Sequence, residues 1–385
     1  MAQRIKGIEI NGVLYEFDTG LPSINEQEGG VLDESFEFAS DDGSETYVRI
    51  SPKGLHAKQL YVGIGSTAKT IQQLINAAVA SSGGGGGASR RSVKIICFGN
   101  SFTQDSMSYV PTILKNVCPS LDVTLAIAFI GGCQLAQHFA NFCNTETTAG
   151  DTTFTAKKYS LQKYTSETEK WTVVGDSTYK EVLDNDDWDI VTFQEGGVSA
   201  HKEWEIYYEP YIYGIHKSVY DNVGKSVRLG WLSIHGTYKS SASGDLQNYL
   251  AVIENTKKVM ELTGTDILFP YGTAVQNLRT TPLNTLGEYG NLKYDSGHLQ
   301  EGIGCLTAAY ANAIVILRAC GYENLSIIGD TTRPDDTWRT DGLVVGAHGT
   351  TIGITEDNAY CAQVAAIQAV KAPYEISDCN KFYNF

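Results

Sequence analysis

Two kinds of hydrophobic patterning divide the chain. Near the N-terminus, Ile8 to Phe17 (IEINGVLYEF) alternates on either side of Asn11-Gly12, which predicts a β-hairpin closed by a tight turn. The stretch TYVRISPKGLHAKQLYVG predicts two more strands, broken at Pro52-Lys53-Gly54. Between these segments, Glu26 to Glu45 holds eight acids and no base, the composition of a solvated surface or a loose segment. Thr70 to Ala80 then sets Ile71, Leu74, Ile75 and Ala78 on one helical face. A helix that short is marginal alone, so it is expected to pack against something or to self-associate.

From Val93 onward, near-continuous apolar runs alternate with helical periodicity. Strands are expected at Val93–Phe98, Val123–Phe129, Ile190–Gln194, Val227–Ile234 and Ile267–Pro270. Helices are expected near Val110–Val117, Trp204–Tyr220, Leu246–Thr263 and Gly302–Ala319, with a further one at Asn358–Val370. Uniformly apolar strands separated by helices indicate an α/β fold with a mainly parallel sheet covered on both faces. In such sheets ligands bind beyond the carboxyl ends of the strands, so the residues just after each strand are the place to look for chemistry.

Between the two patterns lies SSGGGGGAS, Ser81 to Ser89, followed by Arg90 and Arg91. This is flexible-linker composition. It lacks the preceding strand and the Gly-Lys-Ser/Thr ending of a phosphate loop. The expected organisation is a β-rich adaptor or oligomerisation module over 1–80, a linker over 81–91 and a larger domain over 92–385. Residues after about 326 are expected to form a loop around Asp330–Asp336 and then the last helix, a C-terminal lobe around the cleft.

Composition mainly excludes. Of 385 residues, 29 are Lys or Arg and 44 are Asp or Glu, a formal net charge of −15. Without a basic block there is no electrostatic route to a phosphate backbone, so no nucleic-acid partner is expected. No apolar run is long enough to cross a membrane and no Sec-type signal is visible at the start, so no membrane association is expected and the reading is a cytoplasmic or virion-associated protein. The eight cysteines include no CxxC pair and none beside a His at ligand spacing, which leaves a zinc site without support. Reduced thiols in apolar settings are the simpler reading, with disulfides as the alternative.

The strand ends carry a recurring set of groups. Gly99-Asn100-Ser101-Phe102-Thr103 follows the first strand. A serine there, ahead of a helix, is placed to act as a nucleophile, or else simply caps that helix. Ile130-Gly131-Gly132-Cys133 follows the second strand; its glycines either offer a backbone N–H to an oxyanion or only make a turn. Gln194-Glu195-Gly196-Gly197 follows the third strand and supplies a carboxamide, either a second oxyanion donor or a loop polar group. Tyr294-Asp295-Ser296-Gly297-His298-Leu299 precedes the long apolar helix. There Asp295 can orient the imidazole of His298 toward a serine hydroxyl, or instead cap the helix beside an incidental histidine. His235, after the fourth strand, is the main competitor for a site role, in substrate binding. The aromatic run Trp204–Tyr213 (WEIYYEPYIY) is read either as a sugar-stacking surface or as a buried helix.

Taken in order, these blocks resemble the SGNH (GDSL-like) hydrolase superfamily, and within it a branch of uncharacterised bacterial domains found in Bacteroides-type genomes. Phe98-Gly99-Asn100-Ser101-Phe102 is similar to the first family block, with Asn100 in place of the aspartate of the name-giving motif. Gly131-Gly132-Cys133 is similar to the second block, Gln194-Glu195-Gly196 stands where the third usually has an Asn after a Gly, and Asp295 and His298 match the Asp-x-x-His of the fifth. Pro270–Gln276 also resembles the branch, without a known catalytic role. The resemblance spans about residues 93 to 325 and implies a flavodoxin-like three-layer α/β/α fold and a Ser101–His298–Asp295 triad. It places Gly132 and Gln194 at the oxyanion and needs no cofactor or metal.

The function so implied is a serine esterase removing acetyl groups from O-acetylated carbohydrates through an acyl-enzyme. The substrate would be a small ester or an acetylated glycan. The alternative is a phage tail or fibre-associated protein that binds or trims glycans. In that reading the N-terminal module tethers the chain to a larger assembly or to further copies of itself.

Overall fold

In the computed structural model, residues 91–237, 242–285, 297–299, 302–323, 325–328 and 355–382 are described, together with seven short strands N-terminal to them. The chain divides into two compact units, Met1–Ala68 and Lys69–Phe385. The first unit holds β1 (Gly7–Ile10) and β2 (Val13–Glu16), β3 (Phe36–Ala39), β4 (Glu45–Ser51), β5 (Gly54–His56) and β6 (Tyr61–Val62). β1 and β2 pair antiparallel with Ile10 opposite Val13, while Asn11-Gly12, the expected turn, lies outside the described residues. β4 pairs antiparallel with β5, Ser51 opposite Gly54, and β3 pairs antiparallel with β4. β3 lies inside the acidic segment read as a solvated surface or a loose stretch. The expected helix over Thr70–Ala80 and the glycine linker lie outside the described residues, apart from β7 (Lys69–Thr70) and Arg91.

The second unit is built on a seven-stranded sheet. Its strands are β8 (Arg91–Gly99), β9 (Leu121–Phe129), β12 (Tyr159–Thr165), β13 (Lys170–Ser177), β14 (Ile190–Phe193), β15 (Arg228–Leu232) and β16 (Ile267–Phe269), in the order β13-β12-β9-β8-β14-β15-β16. A small antiparallel pair, β10 (Thr147–Ala149) and β11 (Thr152–Phe154), stands apart from it. The five expected strands are all present and mutually parallel. They follow the doubly wound order in which the chain leaves β8 for β9 on one side and returns to β14 on the other. β12 and β13 extend this sheet antiparallel beyond β9. Their polar sequences (YSLQKYT, KWTVVGDS) fit a solvated edge, at which Val173 and Val174 lie exposed. That edge hairpin escapes a search for continuous apolar runs.

Ten helices among the described residues cover the sheet. They are α1 (Ser101–Met107), α2 (Val110–Val117), α3 (Leu135–Cys143), α4 (Tyr179–Leu183), α5 (Trp204–Tyr207), α6 (Glu209–Asn222), α7 (Ala242–Leu262), α8 (Tyr271–Leu278), α9 (Ile303–Ala319) and α10 (Glu356–Lys371). Consecutive β8 residues show why both faces must be covered. Ile95 and Cys97 join one apolar cluster with α1, α2, α8, α9 and α10, whereas Ile96 and Phe98 join a second cluster with α3, α4, α5 and α6. Side chains alternate across a strand, so a run of consecutive apolar residues needs a helical layer on each side. The result is the expected three-layer α/β/α fold with a mainly parallel sheet. α9 is apolar around nearly its whole circumference and buried from Ile303 to Leu317, as a helix packed between α1, α2, α8 and α10 must be.

Candidate active site

The site forms where the chain switches direction around β8. β8 ends at Gly99, Asn100 caps α1, and Ser101 is its first residue. The Asn100 side chain accepts a hydrogen bond from Phe102 N at 2.9 Å, satisfying one of the donors that a helix start leaves open. The turn is tight. A Cβ on Gly99 would stand 1.9 Å from Thr103 Oγ1, closer than any side chain can come, so only glycine admits this approach of strand to helix.

Ser101 Oγ lies 2.7 Å from His298 Nε2. These residues are 197 positions apart in the chain and are the sequence-derived candidates that the fold brings into direct contact. With Nε2 as acceptor, the imidazole can take the hydroxyl proton as the oxygen attacks an electrophile. Asp295, the expected third member, lies outside the described residues.

Gly132 sits in the loop after β9 with φ +65°, and a Cβ there would meet no other atom within 4 Å. It is exposed, in a left-handed conformation that glycine adopts without strain. This loop is tied to the nucleophile strand by two hydrogen bonds: Ile130 N donates to Gly99 O at 3.1 Å, and Asn100 Nδ2 donates to Cys133 O at 2.9 Å. Gln194 reaches the same hub from the end of β14. It is fully buried, and its Nε2 donates to Asn100 Oδ1 at 2.7 Å. Asn100 thus joins the nucleophile helix, the Gly132 loop and Gln194.

His235 does not line the cleft as a ligand-binding group would. It is fully buried, and its Nε2–H donates to the carbonyl of Gly297, the residue before His298, at 2.5 Å. Phe102 packs against both imidazoles, with ring centroids 4.9 Å from His235 and 5.5 Å from His298. The aromatic run after β14 is largely interior: Trp204, Tyr208 and Tyr211 are buried, Tyr207 is half-buried and Tyr213 is exposed. The sugar-stacking reading of that stretch therefore gives way to the buried-helix reading for those three rings.

Sequence reasoning missed two buried acids. Asp105, one helical turn beyond Ser101, accepts from Leu299 N at 2.9 Å. An i, i+4 spacing on α1 would have flagged it, but α1 (SFTQDSM) has too few apolar residues to show helical periodicity. Glu195, beside Gln194, accepts from Gly196 N at 2.6 Å and from Ser199 Oγ at 2.8 Å. It also accepts from Leu135 N at the start of α3, at 3.3 Å. Burial pushes its carboxyl up to about 8, against the pull of these donors toward the charged form.

A second buried cluster lies behind the Gly132 loop. Cys133 Sγ is 3.5 Å from His138 Nε2, and His138 Nδ1 is 2.9 Å from Tyr159 OH. Burial lowers His138 to about 3 and raises the Cys133 thiol. A thiol held neutral beside a neutral imidazole is not primed as a nucleophile. All eight cysteines are free, and all but Cys143 are buried or partly buried. Among the described residues, no group of three or more His, Cys, Asp or Glu is placed to hold a metal ion.

Fold and site together define a doubly wound α/β protein with a Ser–His pair at its switch point. A family model described as a domain of unknown function, DUF4886, matches residues 94–326; the chain belongs to that family. A crystal structure of a DUF4886 family protein from Bacteroides uniformis is 21% identical, covering 74% of this chain and 98% of its own, with a TM-score of 0.59. It shares the fold. Two further solved structures are similar at lower scores. A mutant of an acetyl-xylooligosaccharide esterase from Geobacillus is 14% identical over 61% of this chain and 98% of its own, with a TM-score of 0.37. A gut microbial diltiazem-metabolizing enzyme is 12% identical over 61% of this chain and 48% of its own, with a TM-score of 0.32. No curated protein matches the chain.

Proposed function

We propose that this protein is a serine hydrolase of the SGNH type that cleaves short-acyl esters by acyl transfer. The observation that carries this reading is the 2.7 Å contact between Ser101 Oγ and His298 Nε2 at the helix N-terminus that follows a parallel strand. In the proposed reaction, His298 removes the Ser101 proton as Oγ bonds to the ester carbonyl carbon. The carbonyl oxygen takes up the displaced electron pair and rests on the N–H groups of Ser101 and Gly132. Collapse expels the alcohol, which takes its proton from His298. Water, deprotonated by the same imidazole, then releases the acid and restores the serine. Asp295 is assigned the third triad position by its Asp-x-x-His spacing.

Gln194 serves this oxyanion site through Asn100, which it holds against the Gly132 loop. The backbone at Gly197 packs closely on Phe102, the residue after the nucleophile. A Cβ on Gly197 would stand 2.3 Å from the Phe102 ring, and Thr237 Oγ1 donates to Gly197 O at 2.8 Å behind it. Acetyl esters are the first substrates to test, and O-acetylated carbohydrates head that group.

The test is fluorophosphonate labelling and p-nitrophenyl acetate hydrolysis by wild type and Ser101→Ala, followed by acetyl-glycan and longer-chain ester panels. Labelling and turnover are expected in the wild type and lost in Ser101→Ala. Equal turnover by the two proteins would end the serine mechanism, and a preference for long chains would end the short-acyl assignment.

A further inference from the structure

We infer that Asp105 and His235 are positioning residues that together fix the backbone on both sides of His298, so that the pose of the base is set by the nucleophile's own helix and by the end of β15. This inference rests on the proposed serine–histidine chemistry and assigns the groups that hold its base.

The two contacts bracket a single residue. His235 Nε2–H donates to the Gly297 carbonyl at 2.5 Å, and Asp105 Oδ2 accepts from Leu299 N at 2.9 Å. The first oxygen belongs to the peptide unit entering His298, and the second nitrogen to the unit leaving it. Holding both planes fixes φ and ψ of His298, since the peptide units themselves are rigid. The direction of its Cβ follows from that backbone. Residues 297–299 do not lie in a regular helix or a strand of the main sheet, so the restraint that helix or sheet hydrogen bonds give elsewhere comes here from side chains.

Both clamps are fully buried. A buried polar group is costly unless hydrogen-bonded, and in a water-excluded setting such bonds resist exchange with solvent. The Phe102 ring, against both imidazoles, limits sideways motion of either one. Leu299, also fully buried, anchors the far side of the loop in the core.

Asp105 follows Ser101 by four residues on α1, and side chains at that spacing share a helix face. The same rigid turn therefore carries the attacking oxygen and the acceptor that holds the base's backbone. A shift of α1 would move Ser101 and the His298 loop together and preserve the 2.7 Å contact. His235 supplies the second reference point from β15, two strands away from β8 in the sheet.

Four variants test this. Asp105→Asn keeps an oxygen able to accept from Leu299 N, and Asp105→Leu removes it at similar volume. His235→Gln keeps an amide N–H able to reach the Gly297 carbonyl, and His235→Phe keeps a ring but no donor. Each is measured for acetyl-ester turnover and fluorophosphonate labelling rate, with near-UV circular dichroism and Tm to establish folding. Asp105→Leu and His235→Phe are expected to lower kcat about tenfold to a hundredfold, the scale of a misplaced catalytic group, with KM within about twofold. Asp105→Asn and His235→Gln are expected to recover most of the loss. A folded Asp105→Leu or His235→Phe with wild-type kcat would overturn the proposal, as would a paired Asn or Gln variant no better than its apolar counterpart. If one apolar variant does not fold, the pair at the other position decides.

Failure of the esterase reading is recognised separately, by Ser101→Ala matching the wild type. In that event a crystal structure of His235→Phe still tests the clamp: displacement of residues 297–299 is expected, and an unmoved Ser101–His298 contact would overturn it.

Discussion

Asn100 donates to the Cys133 carbonyl across 2.9 Å, so the cap of the nucleophile helix and the loop that carries Gly132 are one mechanical unit. The same side chain accepts from Phe102 N and from Gln194 Nε2 through its oxygen. An aspartate could keep both accepting roles but could not donate to Cys133.

This gives an ordered series. Asn100→Asp is expected to retain the helix cap and lose the tie to the Gly132 loop, lowering kcat while costing about 1–2 kcal/mol of stability. Asn100→Ala loses all three bonds and strands buried partners, so it should fall further in both. Denaturant unfolding with acetyl-ester kinetics checks the order; equal kcat in wild type and Asn100→Asp would show that the loop needs no such tie.

Gln194→Ala should injure turnover without abolishing it. Its amide reaches the reacting atoms through Asn100, so the expected loss lies below the roughly 10²–10³ that removal of a direct oxyanion donor brings. KM should change little. A loss as large as that of Ser101→Ala would instead assign Gln194 to the proton-transfer machinery.

Glu195 makes stability depend on pH in a particular direction. Its folded carboxyl is raised from 4.5 to about 8, so between those values the folded state holds more protons than the unfolded chain. Stability from this group therefore falls as pH climbs from about 4.5 to 8 and levels off above. Each pH unit crossed in that window removes at most about 1.4 kcal/mol, and a kilocalorie moves Tm by about 2–4 °C in a protein of about 150–250 residues. Glu195→Gln should flatten the decline, and its Tm relative to wild type should rise by several degrees between pH values below and above that window. Parallel Tm curves for the two proteins would refute the assignment.

Gly99→Ala tests the strand-to-helix approach. The added Cβ collides with Thr103 Oγ1, and overpacking of this kind costs about 1–3 kcal/mol. Thr103→Ala removes the obstructing hydroxyl and methyl, so the double variant should be more stable than the sum of the single effects predicts. A double-mutant cycle by chemical unfolding measures that coupling; strict additivity would mean that the turn relaxes elsewhere.

The sequence shows the parallel strands and the Ser101–His298 pairing because both have local signatures: continuous apolar runs, and a small set of polar groups at their ends. It conceals whatever is held by buried polar contacts between distant segments. A helix is expected after Ser101, but nothing in its sequence marks what it packs against: Thr103, Gln104, Asp105 and Ser106 are polar, yet all four are buried. Gln104 donates to Gln162 of β12 at 2.9 Å, and Asn312 of α9 donates to Ser106 O at 3.0 Å. No periodicity encodes such partners, which are fixed only when strands and helices assemble. His235 illustrates the same limit: its place after a strand suggested a ligand contact, whereas the fold turns it inward to a carbonyl.

α9 begins four residues after Leu299 and is encased on every side. Amides in such a helix exchange with solvent only when the whole domain opens, unlike those of helices that fray or detach locally. Leu299, the downstream neighbour of His298, is itself fully buried, and the amides of α9 are expected to be among the slowest-exchanging of the described residues.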